Sequence, residues 1–71
     1  MQDSLGLTGL QLSILHIMWD LGEATTQQVL EVLNRDRSLA LTTVATLLSR
    51  LERKSVLTHR REGRQYIYRA T

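Results

Sequence analysis

Apolar residues change their period along this chain, and the change separates helical from extended segments. Ile14, Leu15, Met18 and Trp19 recur at helical spacing and share one face, with Ser13, His16 and Asp20 on the opposite side. Leu12 and Ile17 flank that arc, which leaves surface for two neighbouring elements or for a partner chain. Thr8 and Gln11 stand at capping-box spacing and predict where this first helix starts; Gly22 predicts where it stops. Glu23-Ala24-Thr25 has room for no more than a stub of strand. Thr25 and Gln28 then repeat the capping-box spacing, which predicts a short second helix with Val29, Val32 and Leu33 inward and Gln27, Gln28 and Glu31 outward. The polar turn at 34–38 ends it.

A third helix is predicted from 41 to 54, and here the two faces separate most cleanly. Val44, Leu47, Leu48 and Leu51 form the core stripe, and the other side collects Thr42, Thr43, Thr46, Ser49, Arg50 and Arg53. After Ser55 the period falls from 3.6 to 2. Two alternating runs, 56–61 and 64–69, flank Glu62-Gly63 and predict a hairpin with a two-residue turn. A turn at those two residues sets His59 opposite Tyr66 and Leu57 opposite Tyr68, with Arg60, Arg61 and Arg64 at the tip. The resulting fold class is mainly α with a small β-hairpin. In order it reads helix, stub strand, short helix, helix, hairpin: a winged helix-turn-helix of three helices plus wing, in one domain spanning 1–71.

Composition narrows the partners more than the fold. The chain has 71 residues and no cysteine, so neither a disulfide framework nor a thiolate metal site is open to it, and stability has to come from packing. No apolar run approaches the length that spans a bilayer and no signal-like segment stands at the start, so a cytoplasmic location is expected. The net charge is +2, but the halves differ in sign. Residues 1–34 carry four acidic side chains and no Lys or Arg, whereas residues 35–71 hold all nine basic residues against three acidic ones. A polyanion is drawn to the second half.

The exposed face of the third helix has the chemistry that base edges and phosphates accept. Thr and Ser donate or accept at either, a Thr methyl meets a thymine methyl, and Arg binds guanine bidentately. A solvated polar stripe is the plainer account, but Thr has modest helix propensity, and three of them on one exposed face need a reason. A protein-docking helix would more often expose Leu, Met or aromatics there. The arginines of the hairpin tip are read both as a charged edge that resists strand-to-strand aggregation and as a grip on phosphate, and the two roles are compatible. His16 and His59 lie far apart and form no metal-ligand spacing, so no cofactor is expected. No nucleophile motif or phosphate loop surrounds the Ser and His residues, and Trp19 reads as a core anchor beside Leu15 and Met18; an enzyme is not expected.

These residues resemble the penicillinase and methicillin-resistance repressors and the copper-responsive repressors related to them, antibiotic-resistance regulators among them. Leu7-Thr8, Ile14-Leu15, Met18-Trp19 and Gly22-Glu23-Ala24-Thr25 look like the opening pattern, and Leu33-Asn34-Arg35 is similar to the end of the second helix. The most specific stretch is the thirteen residues from Thr42 to Lys54, joined by Gly63-Arg64-Gln65-Tyr66-Ile67-Tyr68 in the wing. The resemblance implies a transcriptional repressor that binds double-stranded operator DNA at an inverted repeat as a homodimer when full length. The helix at 41–54 would enter the major groove and the wing at 57–69 would lie on the backbone. Contact positions carry over onto Thr42, Thr43, Ala45, Thr46, Ser49 and Arg50; the residues themselves add Arg53, Arg60, Arg61 and Arg64. The sequence departs from the pattern at Ala45, where some members have a basic residue, at Gln11, where Glu is common, and at Ser55, where Gly usually follows the third helix. The family's helical dimerisation region does not follow within these 71 residues, so the isolated domain is expected to be mainly monomeric. The reading from a different class is a winged helix that docks an acidic protein through its basic wing.

Overall fold

The computed structural model describes residues 9–71. The elements run α1 (Gly9–Leu21), β1 (Glu23–Thr25), α2 (Thr26–Leu33), α3 (Leu41–Arg53), β2 (Leu57–Glu62) and β3 (Gln65–Ala70). This is the winged helix-turn-helix order, with β1 adding to the wing as a third strand. The sheet order is β1-β3-β2, both pairings antiparallel. Thr8, the proposed cap of α1, lies outside the described residues. Gln11, its proposed partner, is buried on the core face.

Each helix end follows from a local cause. Thr25 caps α2 through the predicted box: its hydroxyl accepts from the Gln28 N–H at 3.2 Å, and its own N–H donates to Gln28 Oε1 at 2.8 Å. At the other end Asn34 clamps the loop to α3, accepting from the Leu39 N–H at 2.8 Å and donating to the Leu39 carbonyl at 3.0 Å. The α3 exit is a Schellman turn, with the Ser55 N–H on Glu52 O and the Val56 N–H on Leu51 O, and Ser55 sits at φ 66°. The departure from glycine noted above thus falls on a left-handed residue.

The core is one cluster. Ile14, Leu15 and Met18 of α1 meet Val29 and Leu33 of α2, Val44, Leu48 and Leu51 of α3, and Ala24, Leu57 and Tyr68 of the sheet. Leu47 and Val32, expected inside, are only half-buried, Leu47 packing against the edge of the cluster. Trp19 is a correction: it is 61% exposed and anchors nothing in the core. The buried arc of α1 centres on Gln11, Ile14 and Met18, and Trp19 lies a further 100° past Met18. There it joins Leu12 and His16 on an outward stripe at i, i+4, i+7, its ring 5.4 Å from that of His16.

The wing register is the second correction. Its two-residue turn is Gly63-Arg64, so Glu62 faces Gln65, Arg61 faces Tyr66, His59 faces Tyr68 and Leu57 faces Ala70. Gly63 takes φ 62° at the first central position of the turn, as a type II′ turn requires. A turn at Glu62-Gly63 would force Glu62 into that conformation and set Arg61 against Arg64. The shift is by two residues, so every side chain keeps its face and His59 still stacks on Tyr66, now diagonally, with ring centroids 4.4 Å apart.

A candidate nucleic-acid interface

Burial of Val44, Leu48 and Leu51 fixes which way α3 faces. The opposite side then presents Thr42, Thr46 and Arg53 along the helix, with Thr43 and Arg50 on one flank and Ala45 and Ser49 on the flank nearer the wing; all but half-buried Ala45 are exposed. The Thr46 hydroxyl donates to the Thr42 carbonyl at 2.9 Å. Its proton is therefore engaged, and what it offers outward is acceptor lone pairs and a methyl group. Ser49 hydrogen-bonds to the Tyr68 phenol of β3, and burial holds that phenol above its ordinary pKa. Arg50 and Arg53 fall in the last turn, where they also complement the helix dipole.

The start of α3 has no side-chain cap: Ala40 is the N-cap residue and contributes only its carbonyl. This end opens on a cleft of about 380 Å³ lined by Thr25, Thr26 and Gln27 of β1 and α2, Leu41 of α3, and Arg61, Arg64, Gln65 and Tyr66 of the wing. Two helix starts, hydroxyls and two arginines thus share one concave surface. Sequence periodicity could not show this, because the cleft joins residues some forty positions apart. Exposed Leu41 and Tyr66 give it an apolar part. Arg61 is steadied by its Nε donating to the Gly63 carbonyl at 3.1 Å.

Arg60 is placed differently from its neighbours. It points to the other face of the sheet, where its guanidinium donates to both Glu23 oxygens at 2.6 and 3.0 Å and its Nε to Glu62 at 2.8 Å. The pair raises the Arg60 pKa, and the Arg60 hydrogen bond lowers that of Glu23. Arg60 thereby joins β1 to β2 across the central strand, while Arg61 and Arg64 stay with the cleft. Among the described residues, no three His, Cys, Asp or Glu side chains gather as a metal site, and no helix is long and apolar enough to cross a membrane.

The model of the penicillinase repressor family matches residues 7–71. The chain belongs to that family. Its members are transcriptional regulators and not enzymes. Among curated relatives, an uncharacterised 16.5 kDa protein of Latilactobacillus sakei is 31% identical over 65 residues, covering 92% of this chain and 44% of that protein. The penicillinase repressor of Bacillus licheniformis is 29% identical over 58 residues, covering 82% of this chain and 45% of the repressor. The chain thus spans less than half the length of these two. Among solved structures, the DNA-binding domain of the repressor BlaI superposes with a TM-score of 0.84 at 25% identity, covering 100% of this chain and 87% of that domain. An antimony-specific transcriptional repressor has the same fold, with a TM-score of 0.78 at 20% identity over 90% of this chain and 54% of its own.

Proposed function

We propose that the chain is the DNA-binding domain of a transcriptional repressor, with α3 in the major groove and the wing on the phosphate backbone. The observation that carries this is the cleft, where Arg61 and Arg64 stand beside Leu41 at the start of α3; cations next to a helix whose outward stripe is Thr42, Thr46 and Arg53 support one ligand for both. Thr42, Thr43, Thr46 and Arg50 are the base-reading candidates, and Arg53, Arg61 and Arg64 the phosphate contacts. Arg60 serves the wing's own structure. Membership in a family of repressors supports a homodimer on an inverted repeat.

Two substitutions test the division of labour. Arg61→Ala with Arg64→Ala should weaken binding to specific and random duplexes alike and flatten the salt dependence by roughly one unit per lost phosphate contact. Thr46→Val removes the acceptor oxygen and keeps the shape, so it should cost about 1–3 kcal/mol at one base position with random-duplex binding nearly unchanged. Duplex binding indifferent to salt would overturn the assignment.

A further inference from the structure

The recognition helix and the wing are joined by two side-chain links that the DNA-binding reading does not use. Glu52 lies in the last turn of α3 on the wing-side flank, and both its carboxylate oxygens are 2.7 Å from Nδ1 of His59 on β2. One turn earlier, Ser49 hydrogen-bonds to Tyr68 on β3. Each strand of the hairpin is therefore tied to α3 by its own contact. His59 is held from both sides: it stacks on Tyr66 at 4.4 Å and lies 5.3 Å from the ring of Tyr68. Glu52 and His59 are each about 30% exposed, shielded enough for the contact to outlast the screening that weakens surface pairs. A carboxylate on the wing side of a phosphate-facing helix is otherwise a liability, because it repels the ligand.

We propose that Glu52 and His59, backed by Ser49 and Tyr68, form a clasp that sets the angle between α3 and the wing, and that they act as positioning residues for duplex binding without touching DNA. The clasp rests on the DNA-binding reading above. It reassigns Ser49 from base contact to wing anchor, and it gives Glu52 a reason to stand where its charge alone opposes binding. A groove-bound helix and a backbone-bound wing must meet one duplex at once, so an angular error costs affinity for the preferred site more than for random DNA.

Glu52→Ala and His59→Phe, each verified by circular dichroism as folded at the working temperature, are titrated with a duplex selected from a random pool by the wild-type chain and with a scrambled duplex. Each variant should bind the selected duplex about tenfold more weakly. The double variant should be no weaker than the weaker single one, since both remove the same link. His59→Asn, which keeps a donor near the Nδ1 position, should recover most of the loss. Equal or tighter binding by folded Glu52→Ala means that only its charge matters and overturns the clasp, as do additive losses. Residual dipolar couplings read the angle between α3 and the hairpin directly. A shifted angle in His59→Phe supports the clasp, and an unchanged one overturns it. Should the wild-type chain select and bind no duplex, the DNA-binding reading fails, and the couplings alone decide whether the clasp exists.

Discussion

α1 and α3 are each thirteen residues long, each buries three aliphatic or thioether side chains in the same core, and each leads through a left-handed residue into the same sheet. They differ on the outside. α1 turns Leu12, His16 and Trp19 to solvent and carries no Lys or Arg; α3 turns out Thr42, Thr46 and Arg53. Equal burial with unlike outer faces means that packing explains the inner residues of both helices and nothing about the outer ones. Packing leaves the outer residues unspecified, and only those of α3 carry hydroxyl and guanidinium groups of the kind a polyanion accepts.

The largest test of that separation pits an inner residue of α3 against the bulkiest outer one of α1. Leu48 is fully buried, and Leu48→Ala should lose about 2–5 kcal/mol, a large part of what a domain this small has. Trp19→Ala, despite removing more atoms, should change stability by only about 0.5 kcal/mol, because the ring is mostly in water. Urea midpoints of the two variants check both values. A loss at Trp19 comparable to that at Leu48 would mean that the outward stripe of α1 is covered in solution.

A smaller test uses the helix exits. Gly22 after α1 and Ser55 after α3 take φ values of 80° and 66°. A side chain at Gly22 would meet no atom within 4 Å, so its cost there is conformational and not steric crowding. Ser55→Gly should therefore stabilise the fold and Gly22→Ser destabilise it, each by about 1 kcal/mol, or roughly 4–8 °C in Tm. Opposite signs from the same pair of residues at two like positions would isolate the left-handed conformation as the cause.

Much of this was legible beforehand because it is local. The Thr25–Gln28 box, the α3 stripe and the left-handed exit at Ser55 all depend on residues within a few positions of one another, and each stands where the pattern puts it except Leu47, which is half-buried at the edge of the stripe. At Trp19 residue type and angle disagree: beside Leu15 and Met18 it reads as core, yet it lies beyond the arc that a one-sided helix buries. The alternation does not fix the hairpin turn, because it repeats every two residues: a two-residue slip leaves the inward and outward sets unchanged, and only the φ of Gly63 breaks the tie. The partners of Arg60 and Ser49, and the contact of His59 with Glu52, are out of reach of the sequence pattern. They come from contacts between strands and helices that no period along the chain encodes.

The strand each helix feeds offers the smallest and most specific test. β1 follows α1 and β2 follows α3, and Glu23 and Arg60 join the two across β3 on the outer face of the sheet. The Arg60 hydrogen bond lowers the Glu23 pKa in the folded chain below its ordinary value. A depressed carboxyl pKa stabilises the fold above the unfolded-state value, and the contribution fades as pH falls through the folded-state value. Wild type should therefore melt higher than Glu23→Gln at neutral pH, and the gap should close as the solution is acidified below the ordinary glutamate range. Both residues are roughly half exposed, so the gap is small at any pH and shrinks further in high salt. Arg60→Ala should show the same closing gap, because it removes the other half of the pair. If Arg60→Ala instead left the melting profile unchanged and lowered the salt slope of duplex binding, Arg60 would take the phosphate-contact role proposed for Arg61 and Arg64, and the proposed interface would extend to the outer face of the wing.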